Sequence, residues 1–215
     1  MHIADTRSIT IAGAVMAGTL LAILLARRGF KVDLFEQHPD PDSGERHVSL
    51  ASNLALGERA RHALRASGLL ERVDALSTPM RGRMMHDLDG RLTFQPYGTE
   101  ADQVLWSVDR DGLNLTVLEA VAARPVGLHF GRRLVDVDLD DLTTTFERPD
   151  GSAEALRPDT VIGADGAYSA VRSRLQRTSR FEYEQDHLEH GYKELTIPPA
   201  ADGSWRLDPH ALHIL

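Results

Sequence analysis

Residues 9–36 read ITIAGAVMAGTLLAILLARRGFKVDLFE, and this stretch decides the fold. Ser8 to Ala12 is a short β-branched run, the pattern of a buried parallel strand. Gly13 and Gly18 bracket a tight turn. Thr19 to Arg28 is an unbroken series of good helix formers with a basic last turn, closed by Gly29. Lys31 to Phe35 alternates and is β-rich, so it is a second strand, and Glu36 ends it. Strand, glycine turn, helix, strand and terminal acid is the layout of a dinucleotide-binding βαβ unit. The helix start receives a pyrophosphate, and the acid accepts ribose hydroxyls.

One position departs from that layout. The pattern G-x-G-x-x-G becomes Gly13-Ala-Val15-Met-Ala-Gly18. The middle glycine lets backbone approach the phosphates without a Cβ between them. Val15 puts a branched side chain there, which weakens or shifts binding. A membrane anchor or signal-peptide core is the competing reading: Ile9 to Ala26 carries no charge and is flanked by Arg7 and Arg27-Arg28. Glycines and threonines interrupt that run, no small-residue cleavage site follows it, and an anchor has no use for Glu36.

Outward from this unit, Gln37 to His47 is a polar loop with two prolines and a glycine. Ser49 to Leu56 leads into a helix over Glu58–Ser67 ended by Gly68, and Leu69–Leu76 adds a helical turn or two. Arg81 to Tyr97 changes character: apolar residues flank Asp89-Gly90, a hairpin signal that opens a second, sheet-based part. Val104–Val108 returns to the first part as a strand. Asp111–Ala123 is a helix with an apolar face, and Gly127–Phe130 is a strand. Leu134–Leu142 and Thr143–Arg148 alternate before Pro149-Asp150-Gly151, a β-meander laid over the nucleotide-binding sheet. Thr160–Gly163 is another buried strand, followed by GADGAYSAVR with Ser169 as N-cap of a helix over Ala170–Leu175. Tyr183–Ile197 reads as a strand, and Ala211–Leu215 begins one whose partner is expected to be missing.

Composition narrows the function. The 215 residues suffice for one ordinary domain or two small ones. A net charge of −8 without a basic tract argues against nucleic acid as a partner. The absence of cysteine excludes disulfides and thiolate metal sites and fits a reducing cytosol, hence a cytoplasmic location. Metal sites drawn from His187 and His190 with Asp186, or from His210 and His213, are less economical than ordinary surface histidines.

Several stretches together resemble the flavin-dependent aromatic hydroxylases, and within them the kynurenine 3-monooxygenase family. They are ARRGFKVDLFE, SNLAL, PMRGRMMHDLDG, PYG, SVDRDGLN, GADGAYSAVRS and HGYKELTIPP, in the family's order over nearly the whole chain. The resemblance implies an α/β fold. It is a Rossmann-like FAD-binding domain of glutathione-reductase type with an inserted antiparallel β-sheet substrate subdomain, truncated. The implied partition is FAD-binding over 1–72 and 104–177 and substrate-binding over 73–103 and 178–215. FAD is the implied cofactor, NADPH the reductant, and an aromatic amino acid such as kynurenine the substrate.

By that resemblance Gly13, Ala17, Gly18 and Glu36, with Phe35 to His38, face the adenosine and pyrophosphate. Ala55 and Arg110 are further FAD contacts, and Leu134 touches the adenine side. Asp165 and Gly166, with Arg172, lie between flavin and NADPH. Arg83 and Tyr97 grip the substrate, Arg by a bidentate hold on a carboxylate. No side chain is implied as the chemical catalyst, because the chemistry belongs to the flavin. The family's later Gly-Asp motif is absent. The expectations are therefore an enzyme seen in part, with self-association or a complementing chain, or a non-catalytic remnant that has lost its flavin.

Overall fold

The computed structural model describes residues 7–44, 53–191 and 197–215. In chain order the elements are β1 (Ser8–Ala12), α1 (Met16–Ala26), β2 (Lys31–Phe35), β3 (Asn53–Leu56), α2 (Glu58–Ser67), α3 (Leu70–Asp74), β4 (Ser77–Met80), β5 (Gly82–His86) and β6 (Leu92–Pro96). There follow β7 (Leu105–Asp109), α4 (Arg110–Ala122), β8 (Val126–His129), β9 (Arg133–Val137), β10 (Thr144–Glu147), β11 (Ala153–Leu156), β12 (Thr160–Gly163), α5 (Ala170–Leu175) and β13 (Ala211–Ile214). The chain divides into two compact units. One comprises residues 1–49 and 114–186, the other 50–113 and 187–215, so the boundary falls inside α4. Strand β3, helices α2 and α3, and strand β7 belong to the second unit, although the sequence reading groups them with the nucleotide-binding part.

The first unit is built on a parallel sheet of order β12-β1-β2-β8. Its central strands bury nearly every side chain: Ile11 and Leu34 are fully enclosed and Val32 almost so. That is why β1 reads as a continuous β-branched run, while β2 alternates with Lys31 and Asp33 less buried. Helix α1 begins at Met16, three residues before the expected Thr19, because Gly18 lies inside the first helical turn. The antiparallel meander β11-β10-β9 packs on this sheet through one core of Ala12, Phe35, Leu134, Val137 and Phe146. Phe146 is fully buried and stacks on Phe35 with ring centroids 4.1 Å apart. Removing its ring costs about 3–5 kcal/mol, the usual range for emptying a buried aromatic site. Asp159 ties the starts of β12 and β1, accepting from the Ser8 N–H and hydroxyl at 2.7 and 2.9 Å; the backbone bond first of all holds its carboxyl below the usual range.

The second unit carries two three-stranded sheets, β3-β7-β4 and β13-β5-β6. The expected hairpin around Asp89-Gly90 is β5–β6. Strand β4 follows the helical turns and was not expected; its Pro79 sits opposite Trp106 in the ladder with β7. Strand β7 pairs with β3 and β4, not with the sheet of the first unit. Strand β13 does find a partner: it runs parallel to β5, so this sheet is mixed and not purely antiparallel. Under the sheet edge, Arg61 grips Asp74 with both guanidinium arms and lies over the Trp106 ring. The strand expected over Tyr183–Ile197 is not formed at residues 183–191 or at Ile197, and 192–196 lie outside the described residues, as do 45–52 of the loop and of the segment before β3.

Candidate nucleotide-binding site

A cleft of about 530 Å³ opens in the first unit at the carboxyl ends of β1, β2 and β12. Its floor is Ala12, Gly13 and Phe35, one wall is Glu36 to His38 with Arg132 to Leu134, and the other is Ala164 to Tyr168. Open parallel sheets bind ligands at this end, where strands feed helix starts.

The turn after β1 is set by close approach. Gly13 has φ +101°, and a Cβ there would run into the Ala164 carbonyl; one on Gly18 would meet the Gly13 carbonyl. Val15 is the N-cap residue of α1 in extended backbone, without a side-chain cap. The Met16, Ala17 and Gly18 amides form the first turn and are the orphan donors of a helix start. Thr19 turns its hydroxyl back, donating to the carbonyls of Ala14 and Val15 at 2.9 and 3.1 Å. The helix start therefore offers backbone N–H groups and the positive end of the helix dipole, with no acid in its first turn.

Glu36 is only 7% exposed, which few carboxylates tolerate without partners. One carboxylate oxygen accepts from the Ala14 N–H at 2.8 Å and the other from the His38 N–H at 3.0 Å. Two of its roughly four acceptor positions remain for a ligand. Its backbone is laced to the following strand connection: Glu36 N–H donates to His129, Arg132 N–H to Glu36 and Gly131 N–H to His38, at 2.9, 2.8 and 2.9 Å.

On the opposite wall, Asp165 is turned inward on its own helix. It accepts from the Ser169 hydroxyl at 2.6 Å and from the Ala170 N–H at 2.7 Å, while Ser169 caps the Arg172 N–H at 3.0 Å. Arg172 donates to the carbonyls of Gly166 and Ala167 and lies over the Tyr183 ring.

Of the residues expected around a dinucleotide, Gly13, Glu36, Leu134, Asp165 and Gly166 line this one cleft. Gly18 is buried in the first turn of α1, and Ala17 is exposed beside it. Val15 also lines the cleft, with 43% of its surface free. Ala55 and Arg110 belong to the second unit, on β3 and at the start of α4, where Asp109 accepts from the Gly112 N–H at 2.7 Å. Arg83 and Tyr97 also belong there, with the guanidinium carbon 5.9 Å from the ring centroid. The Tyr97 hydroxyl is buried with no hydrogen-bond partner among the described residues. Of the histidines considered for metal, His210 bonds the Pro79 carbonyl, and His213 bonds His86 and the Asp208 carbonyl.

The donors fit a flavin dinucleotide: a charge-free helix start for the diphosphate, a buried acceptor for the ribose, and glycine where strand and loop nearly touch. Only Val15 stands against it. The family model described as an FAD binding domain matches residues 6–201. The chain belongs to that family. FAD is thus its cofactor. Kynurenine 3-monooxygenase of Stenotrophomonas maltophilia (strain K279a) is 44% identical over 97% of this chain and 46% of its own length. The enzyme of that name from Xanthomonas campestris pv. campestris (strain 8004) is 42% identical over 98% of this chain and 46% of its own. The chain thus spans about half the length of the curated relatives it matches. Among solved structures, the flavin-dependent monooxygenase PieE, in complex with FAD and substrate, superposes with a TM-score of 0.67 at 27% identity, covering 80% of this chain and 32% of that one. PqsL, a probable FAD-dependent monooxygenase from Pseudomonas aeruginosa, gives 0.63 at 25% identity over 86% and 48%. Among the described residues no helix is long and apolar enough to cross a membrane; the stretch that read as a possible anchor is β1 and the 11-residue α1.

Proposed function

We propose that this chain is the FAD-holding part of an NADPH-dependent aromatic-ring hydroxylase acting on an aromatic amino acid such as L-kynurenine, giving the 3-hydroxy product. The observation that carries the reading is Glu36: a buried carboxylate, fixed by two backbone N–H groups beside an uncapped helix start, with acceptor positions to spare. It would take the ribose hydroxyls. Gly13, Ala17 and Gly18 would hold the diphosphate, Leu134 would flank the adenine, and Ala55 and Arg110 would be further contacts. Asp165 and Gly166 would border the flavin and NADPH. When bound, the flavin supplies the reductive activation of O2 and delivery of oxygen to the ring; the protein positions the reactants and keeps water away.

Substrate binding is assigned to the second unit, as its substrate-side part. Arg83 would pair with the substrate carboxylate, and the Tyr97 hydroxyl, which has no partner among the described residues, would donate to it. The chain is placed in the cytoplasm, working with a complementing chain or a second copy.

Titration with FAD, followed by quenching of flavin fluorescence, tests the reading: saturable binding is expected, and colourless protein that takes up none would sink it. Kynurenine-stimulated NADPH oxidation then tests the activity.

A further inference from the structure

In the parallel pair β2–β8, Asp33 lies opposite Gly127 and Phe35 opposite His129, all four in the first unit. The Asp33 carboxylate reaches along the ladder to the His129 ring, Oδ1 to Nε2 3.0 Å. A carboxylate accepts, so the ring nitrogen donates. The line of that bond passes over Gly127. A Cβ there would overlap the Asp33 carboxylate oxygen and stand 3.0 Å from His129 Nε2. Glycine in a strand interior weakens the strand, and one good reason for it is space for a neighbour. The His129 ring also stacks on Phe35, centroids 4.4 Å apart and planes 13° from parallel. Its carbonyl takes the Glu36 N–H at 2.9 Å. One residue therefore grips the end of β2 by ring nitrogen, ring face and backbone, immediately before the carboxylate of the nucleotide site.

We infer that Asp33, Gly127 and His129 form a clamp that positions Phe35 and Glu36 for the adenosine half of the dinucleotide. None of the three lines the cleft, so the clamp acts through Glu36. This rests on the proposed site. Without the ring N–H, Asp33 is released and the end of β2 gains freedom, so the Glu36 carboxylate samples positions that miss the ribose.

The test uses the full chain and three variants. His129→Phe keeps ring stacking but loses the donor, His129→Gln keeps a donor without the ring, and Gly127→Ala blocks the bond with a methyl group. FAD dissociation constants come from flavin fluorescence, with ADP as competitor, beside thermal midpoints and hydrogen exchange of the Glu36 amide. For His129→Phe and Gly127→Ala we expect FAD and ADP to bind about five- to tenfold more weakly, the size of one charge-assisted hydrogen bond. His129→Gln should stay within about twofold, and all midpoints within about 6 °C. Unchanged binding in His129→Phe overturns the clamp. So does an equal loss in all three variants that tracks a fall in midpoint, because that is a merely structural role. If the unaltered chain takes up no FAD, the proposed function fails by itself. The clamp is then read from the Glu36 amide: faster exchange in His129→Phe and Gly127→Ala than in His129→Gln supports it, and equal rates overturn it.

Discussion

Two strand-to-helix turns stand side by side in the first unit, one after β1 and one after β12, and they finish their helices in opposite ways. Helix α1 starts at Val15 with no side-chain cap and no acid in its first turn. Helix α5 starts at Ser169, whose hydroxyl caps the Arg172 N–H, and the Asp165 carboxylate takes the Ala170 N–H. The first leaves its donors for an external anion, and the second has satisfied them with its own. Glycines open both turns, so glycine content does not tell a phosphate cradle from a structural bend. The residue at the helix cap does.

That contrast can be attacked from several sides. The largest effect is expected from Glu36→Ala. It leaves the Ala14 and His38 amides without their acceptor and removes the ribose partner, so FAD binding should weaken roughly a hundredfold, about 2–3 kcal/mol; flavin fluorescence titration measures it, and unchanged affinity would detach the cleft from the cofactor. Next, Asp165→Ala uncaps α5 and should lower stability by about 1–2 kcal/mol in denaturant unfolding. Asp165→Asn, which keeps an acceptor, should lose less. Val15→Ser converts the α1 turn towards the α5 kind. It should stabilise the helix start by about 0.5–1 kcal/mol while weakening FAD, because the serine hydroxyl competes for the phosphate donors. Val15→Gly should do the reverse, gaining FAD affinity severalfold at a stability cost of about 0.5–1 kcal/mol. If both variants bind FAD alike, the cap residue does not govern the site.

The smallest effect concerns acid. Glu154 accepts from Arg148 at 2.8 Å and Arg132 at 3.2 Å, and the Arg148 bond first of all holds its carboxyl below the ordinary glutamate range. A depressed carboxyl contributes stability that is complete above its unfolded value and lost as pH falls through its folded one. Thermal midpoints should therefore fall in that acid window less steeply in Glu154→Gln than in the unaltered chain.

Much of the first unit was legible because short β-rich runs mark its strands, although β12, expected as a buried strand, lies half-exposed at the sheet edge. Strands β1, β2 and β12 are short apolar or β-branched runs and lie where those runs predict. The start of α1 was not, since the helix is apolar nearly all round and offers no phase, and Gly18 passes equally for turn or first-turn residue. Strand β4 was hidden by Pro79, which a sheet tolerates when the ladder does not need its nitrogen. The partner of β13 could not be read either, because parallel pairing with β5 is set by tertiary contact. Of the cleft residues, Asp165 came only with the family resemblance, and Gly13 and Glu36 were readable from spacing. The Asp33–His129 bond over Gly127 was not: it exists only once β2 and β8 are in register, and nothing in Gly127 alone announces the space it keeps.

The order of strands in the parallel sheet bears on how the chain is made. Ile9 lies beside Val32 on one flank and Thr160 on the other. During synthesis the first neighbour emerges almost at once, while the second, Thr160, follows Val32 only 160 − 32 = 128 residues later. One edge of β1 stays bare for that interval, and long-range closure of this kind is slow and prone to association between nascent chains.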